Sequence, residues 1–335
     1  MRKWEKETLQ AILDLEDETA IKLKKAYNAA LNQVCSSVRL LALSIIMERL
    51  NREQAGGVPG YMNVYQKQYH TEITNAVSES FEWLEAEENQ IMEESMQKYF
   101  LIGAIAIMYS LHKQRVPLTI PVQTTRKDFQ NETINYGASV VFNVPKVAEW
   151  YKYTRRDIDN LKVNTVADIQ RAISQGKTYN EIARSMANNM ADGAGLTQFK
   201  KAYSKAMTIV RTEGGRINNE AQYQAMLAAK AKGASVQKQW CAVLDSRTRL
   251  SHAKLDGEIQ EVEDRFSNGL LYPCQSGGAA EEVINCRCVA LIRASWGLDQ
   301  DELETLKKRA EYFGLDKTDS FDAFKEKYLK VANEN

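Results

Sequence analysis

The chain has 335 residues and a mass of 38.0 kDa, more than one hydrophobic core comfortably holds, so two or three domains are expected. Forty-four Lys and Arg against forty-four Asp and Glu give no net charge, which argues against a body that coats nucleic acid or a membrane as a whole but allows a local basic patch. A composition of 44% hydrophobic and 26% charged residues is that of a folded globular protein. Collagen-like, rod-like and disulfide-knot architectures are excluded.

Trp4-Glu5-Lys6-Glu7 stands where a secretory signal would need its apolar core, so no signal peptide is expected. The longest apolar run, Phe100 to Met108 with Tyr109 and Leu111 beyond, falls short of the roughly 18 residues of a membrane span. The sequence therefore predicts a soluble chain with no membrane partner. Five cysteines without a signal point to a reducing compartment and to free or metal-bound thiols.

The first predicted element is a helix from Trp4 to about Leu50. It has neither Gly nor Pro, and its apolar residues, among them Leu9, Ile12, Leu13, Leu31, Val34 and Val38, recur at helical spacing. Gly56-Gly57-Val58-Pro59-Gly60 stops it, and a second helix from about Met62 to His112 completes a long antiparallel hairpin. That second helix carries Glu79, Glu82, Glu85, Glu87, Glu88, Glu93 and Glu94, read as a solvated face, with a docking surface for a basic partner as the sharper alternative.

Pro117, Pro121 and Pro145 beside the β-branched runs 116–122 and 139–144 predict extended segments and a domain boundary over 113–145. Helix returns over about 146–175. Thr178-Tyr179-Asn180-Glu181 reads as a capping box for another. A further helix starts near Thr197, leads into Arg211-Thr212-Glu213-Gly214-Gly215-Arg216 and resumes to Ala231. From Leu196 to Trp240 eight Lys or Arg face two acids, which makes Lys200, Lys201 and Lys205 the candidate DNA-phosphate contacts. Beyond Gly233 a period of two predicts strands around Val236 and Trp240, at Glu258–Val262 and at Arg287–Arg293. Two short helices close the chain, one from Asp299 or Asp301 to Gly314, the other capped by Asp319 or Ser320.

The fold class expected is α+β, mainly helical. A hairpin domain (1–112) is followed by an extended linker (113–145), an α+β module with a small antiparallel β unit (146–295) and C-terminal helices (296–335).

Residues 240–288 hold four of the five cysteines and one of three histidines. Two thiolates and an imidazole suit zinc. On a strand Cys286 and Cys288 point the same way, with His252 as a third ligand and Cys241 or Cys274 as the fourth; the set chosen is His252, Cys286, Cys288 and Cys241. A structural zinc is the only cofactor the chain suggests, set against buried free cysteines beside a structural histidine. A cysteine–histidine nucleophile oriented by Asp245 or Asp256 is the other chemical option. No Walker loop, His-Glu-x-x-His helix or Gly-x-Ser-x-Gly elbow occurs, and no catalytic residue is assigned.

The ordered string Arg211-Thr212-Glu213, Trp240, Asp245-Ser246-Arg247-Thr248-Arg249, His252, Leu255-Asp256-Gly257, Phe266, Tyr272-Pro273 and Asn285-Cys286-Arg287-Cys288 closely resembles the Mu F-like head morphogenesis family of tailed phages, over roughly residues 160–293. The resemblance implies a non-enzymatic minor capsid protein of the virion, in the capsid interior or portal region, assembled in the host bacterial cytoplasm. The partners it implies are the portal protein, the scaffold or major capsid protein, and DNA during packaging or ejection. It makes Arg211, Glu213, Trp240, Asp245, Arg247, Asp256 and Gly257 the module's internal framework. Some related head proteins carry a further cysteine and a histidine where this chain has Arg249 and Val283, and some carry a toxin domain behind the module. The 42 residues after Arg293 suffice for two helices, so no such cargo is expected. The competing reading is an ADP-ribosyltransferase-like or other enzyme or toxin delivered with the particle, built on Arg211 and the pair Glu261/Glu263.

Overall fold

A computed structural model describes residues 2–54, 62–116, 118, 120, 122–123, 140–141, 149–175, 177, 181–182, 197–296, 318 and 320–333. Two helices of 52 residues open the chain, α1 (Lys3–Gln54) and α2 (Met62–Lys113). Two short strands follow, β1 (Val122–Gln123) and β2 (Val140–Val141), paired in parallel. Then come α3 (Glu149–Ser174), α4 (Thr197–Ala231), β3 (Ala234–Cys241), α5 (Leu250–Leu255), β4 (Ile259–Glu261), α6 (Ala280–Val283), β5 (Val289–Trp296) and α7 (Phe321–Asn333). The described residues are mainly helical with one small three-stranded sheet, as the periodicities predict. The predicted capping Thr178 and the predicted helix from 299 to 314 lie outside the described residues.

The chain forms two compact units, one of Met1–Thr19, Glu93–Glu149 and Thr208–Asn335, the other of Ala20–Met92 and Trp150–Met207. In the first, the Tyr109 hydroxyl donates to Glu7 at 3.0 Å, Lys98 to Glu18 at 2.8 Å, and Thr19 and Ser95 share a bond of 2.9 Å. Partner numbers fall as the others rise, so α1 and α2 run antiparallel here. The N-terminal turn of α1 also takes Arg293 of β5 onto the buried Glu5 at 2.5 Å. At this same end, Phe321 and Phe324 of α7 lie against the Tyr109 ring, centroids 5.6 and 5.2 Å apart. The Ser320 hydroxyl accepts the Ala323 amide, one of the two caps expected for this helix.

In the second unit the Tyr27 hydroxyl donates to Glu88 at 2.8 Å. The acidic run on α2 is therefore not one solvated face. Glu79, Glu82 and Glu94 are exposed, but Glu88 is buried because it falls on the same helical stripe as Phe81, Leu84 and Ile91. Burial pushes its carboxyl up to about 8, against the hydrogen bond from Tyr27, which lowers it. On α3 the buried residues Trp150, Thr154, Ile158, Leu161, Thr165 and Ile169 recur every three or four positions, the stripe that folds this helix onto a core. Phe199 and Tyr203 of α4 meet Phe81 and Tyr27 at 5.8 and 6.1 Å.

The sheet of the first unit is antiparallel with order β4-β3-β5. Along β3, Ala234, Val236, Lys238 and Trp240 are buried while Ser235 and Gln237 face water, the alternation expected of a strand with one covered face. Lys238 is the exception in chemistry rather than in pattern. Its Nζ donates to the carbonyls of Val262 (2.7 Å) and Asp264 and lies over the Tyr223 and Phe266 rings. Burial brings its ammonium down to about 8.

Candidate functional site

The residues singled out in the sequence converge where β3 ends, α5 begins and β5 starts. Trp240, Ala242, Leu255, Phe266, Leu270, Cys274, Cys286 and Cys288 form one buried cluster. Trp240 stands edge-on to both Phe266 and His252, at 5.1 and 5.5 Å. α5 points His252 into this core, 2% exposed, with Nδ1 3.4 Å from Cys288 Sγ and 3.6 Å from Cys286 Sγ. Nε2 lies 2.8 Å from the Glu282 carboxylate of α6. That partner assigns the ring proton to Nε2 and turns the other nitrogen toward the sulfurs.

Cys286 and Cys288 face the same way, as expected, but they precede the strand rather than sit on it. Pairing of β5 with β3 begins at Val289 opposite Cys241. Just before it Asn285 adopts a φ of +55°, a left-handed conformation that asparagine tolerates better than most residues.

The expected fourth ligand, Cys241, is corrected by the structure. Side chains alternate along a strand, so Cys241 must face away from its neighbour Trp240. It packs instead with Val289 and Leu291 against Leu9 and Ile12, and burial pushes its thiol up to about 11. Cys274 takes the place beside the cluster. It is fully buried, its thiol donates to the Cys286 carbonyl at 3.3 Å, and its backbone φ is +61°.

The electrostatics follow from two thiols crowding a third sulfur. Hydrogen bonds from Cys274 and Cys288 hold the Cys286 thiol far below its ordinary range, while those two donors are raised. His252 is raised chiefly by Cys286. One imidazole nitrogen and two sulfurs thus meet at close range, a donor set that suits a soft cation.

Helix α4 is the platform under this site. The sequence pattern leaves a break at Gly214-Gly215, yet the helix runs unbroken from Thr197 to Ala231. A mid-helix glycine costs roughly 0.5–1 kcal/mol against alanine, and close packing gives the reason for two of them. A methyl group on Gly214 would lie 2.6 Å from the Tyr99 ring, and one on Gly215 would lie 3.1 Å from Cys274 Sγ and 3.3 Å from the Cys286 carbonyl. One turn either side, Thr212 Oγ1 accepts the Asn285 amide at 3.0 Å. Asn219 donates to the Cys288 carbonyl at 3.1 Å and accepts the Ala290 amide at 3.0 Å. Thr212, Gly215 and Asn219 lie on one helix face, and together they fix the Cys286–Ala290 segment.

The expected framework residues fall in two groups. Trp240 is inside. Asp256 and Gly257 close the end of β3, the carboxylate accepting the Ala242 amide at 2.9 Å and the Gly257 amide (φ +87°) donating to the Trp240 carbonyl at 2.9 Å. Asp245 sits at the rim, paired with Arg287 at 2.5 Å, an interaction that holds its carboxyl well below the usual range. It also accepts the Arg247 amide at 2.9 Å. The Arg247 side chain is exposed and not internal. It joins Arg249 and Arg287 around a cleft of about 10 Å³ whose floor includes His252, Cys286 and Cys288. Arg211 pairs with Glu16 at 2.6 Å, and Glu213 pairs with the buried Arg216 at 2.9 Å.

Residues proposed for other chemistry are occupied separately. Glu261 accepts Gln237 and Glu263 accepts Lys230, each at 2.7 Å. The crevice that Arg211 lines has neither acid on its wall. Lys200 and Lys201 are exposed on α4, while Lys205 reaches Asp157 at 3.0 Å. Glu282, Asn219 and Gly215 are functional neighbours that sequence reasoning missed. Glu282 is one acid among many, and Asn219 carries no local pattern.

The fold and site together define a small α+β module wrapped around buried cysteines and a histidine, seated on a glycine-notched helix. Residues 164–291 match the family described as Phage Mu protein F like protein. The chain is 30% identical over 166 residues to Minor head protein GP7 of Bacillus phage SPP1, covering 46% of this chain and 52% of that one. It is also 32% identical over 144 residues to the NAD(+)--arginine ADP-ribosyltransferase EFV of Enterococcus faecalis, covering 42% of this chain and 27% of the transferase. The chain thus spans about half, or less, of the curated relatives it matches. No solved structure matches significantly. Among the described residues no helix is long and apolar enough to cross a membrane.

Proposed function

We propose that the chain is a minor structural protein of a tailed-phage head, incorporated into the virion at the capsid interior or portal region. It would act with the portal and the scaffold or major capsid protein during assembly in the host cell. The observation that carries this reading is the match of residues 164–291 to the Mu F-like family, beside 30% identity over 166 residues to a relative named as a minor head protein. The use of the module's polar residues supports it. Asp245, Asp256, Thr212, Asn219 and Glu282 are each engaged in positioning backbone or a neighbouring side chain, which is the economy of a scaffold that presents surfaces. DNA contact during packaging or ejection would fall on the exposed Lys200 and Lys201.

Quantitative mass spectrometry of gradient-purified capsids tests this, counting the chain against the portal subunit. A reproducible ratio at or below that of the portal is expected. Absence from every particle, with the chain free in the lysate, sinks the assembly reading.

A second reading, transfer of ADP-ribose, is favoured by the name of the enterococcal relative alone. The match covers 27% of that protein, and Arg211 is committed to Glu16 in this chain. Turnover of labelled NAD above a heat-killed control would establish that reading and displace the first.

A further inference from the structure

We propose that His252, Cys286, Cys288 and Cys274 form a structural zinc site with Glu282 as its outer carboxylate. The ligand atoms of His252, Cys286 and Cys288 lie within 4.8 Å of one another, and all three residues are buried. Zinc holds nitrogen and sulfur at about 2.0–2.3 Å in a tetrahedron, which sets neighbouring donors roughly 3.3–3.8 Å apart. The spacings of 3.4 and 3.6 Å from Nδ1 to the two sulfurs are already edges of that tetrahedron.

The surroundings fit a metal-bound histidine. A ligating imidazole commonly gives its other N–H to a carboxylate, which fixes the ring and raises its basicity. Glu282 does this at Nε2, and its second oxygen is oriented by the Ser251 hydroxyl at 3.1 Å. The Trp240 indole N–H is buried without a hydrogen-bond partner, on a ring that stands edge-on to His252 at 5.5 Å. Thiolate and imidazole donors exclude calcium and magnesium, which take oxygen.

Cys274 is the nearest candidate for the fourth position. Its thiol hydrogen-bonds the Cys286 carbonyl at 3.3 Å, outside the mutually close set of His252, Cys286 and Cys288, so ligation requires its sulfur to turn toward the ion; Gly215 leaves the space it occupies. On binding, the thiol protons pass to solvent and sulfur–zinc bonds replace the S–H hydrogen bonds. The gain falls where regular structure is weakest. α5, α6 and β4 have six, four and three residues, too short to hold themselves, and the ion ties their connecting loops together.

The test uses the full chain produced without a metal-affinity tag and passed through gel filtration under reducing conditions. A single zinc per chain is expected by elemental analysis. Cobalt exchange should give intense visible ligand-field bands with thiolate charge transfer in the near ultraviolet, and a strong chelator should lower Tm. Cys286→Ser should lose the metal, Cys274→Ser should lose about a third of the charge-transfer intensity, as one thiolate of three, and Cys241→Ser should keep metal and spectrum. Several results overturn the site: failure of the wild-type chain to take up zinc or cobalt, an intact mass lower by a pair of hydrogens with no metal, or loss of metal in Cys241→Ser. An unchanged spectrum in Cys274→Ser overturns the four-ligand assignment. Should Cys286→Ser be insoluble, wild-type metal content and the cobalt spectrum decide alone.

Discussion

Two buried polar clusters of this chain show opposite solutions to the same problem. In the unit built from Ala20–Met92 and Trp150–Met207, Glu88 and Tyr27 meet on long regular helices. There the carboxyl tolerates burial by holding its proton, since one phenol cannot replace the water an anion needs. Between Trp240 and Cys288, His252 and three thiols are buried among short elements and loops. Their cost is met by specific partners instead, with Glu282, Thr212 and Asn219 placing donors and acceptors around them. The helical unit needs only periodicity, whereas the module needs particular residues at particular positions.

The sharpest way to break this contrast is Trp240→Ala. Removing a fully buried indole that touches His252 and Phe266 should cost about 3–5 kcal/mol. Urea unfolding measures it, and a loss under about 1 kcal/mol would show that the module does not depend on its centre.

Next in size is the pH dependence of the helical unit. The folded Glu88 titrates near 8, the unfolded one near 4.3. Below both values the carboxyl is neutral in either state and burial is not penalised. As pH rises from about 4.5 to 8 the unfolded chain loses the proton first, so stability falls, and it levels off above 8. Glu88→Gln keeps an acceptor for Tyr27 and should flatten that decline, worth on the order of a few kcal/mol at pH 8 and above. Parallel Tm–pH curves for both proteins would refute the buried-acid account.

Asn219→Ala leaves the Cys288 carbonyl and the Ala290 amide without their partner and should cost about 1–3 kcal/mol. Hydrogen exchange at Ala290 should rise with it. Gly215→Ala improves helix propensity by up to about 1 kcal/mol, yet its methyl would crowd Cys274 and Cys286. A net loss of stability is expected, and a gain would mean that the notch is not needed. The smallest effect concerns the exposed lysines. Replacing Lys200 and Lys201 by alanine should weaken any salt-dependent DNA binding. Adding Lys205→Ala should lower binding less per charge, because that ammonium is already paired with Asp157.

The long helices, the small antiparallel sheet and the unusual side-chain types Trp240, His252, Cys286 and Cys288, which the fold buries together, were legible in the sequence, because periodicity and rare side-chain types are local signals. The strand alternation that locates β3 also contains the evidence against Cys241, since its neighbour Trp240 is the residue turned into the core. Glu88 was hidden within a run of acids, where composition speaks louder than the one position that faces inward. Glu282, Gly215 and Asn219 were not legible, since each acquires its role from a segment 30 or more residues away.

The sequence by itself determined which stretches are helix or strand and which residue types carry unusual chemistry, since both depend on neighbours a few positions apart. Only the tertiary structure decided which thiols share a site with His252, why α4 carries two glycines, and which acid of the α2 run is buried. Those outcomes rest on contacts between distant segments, where a single ångström separates a hydrogen bond or a metal-ligand spacing from a clash.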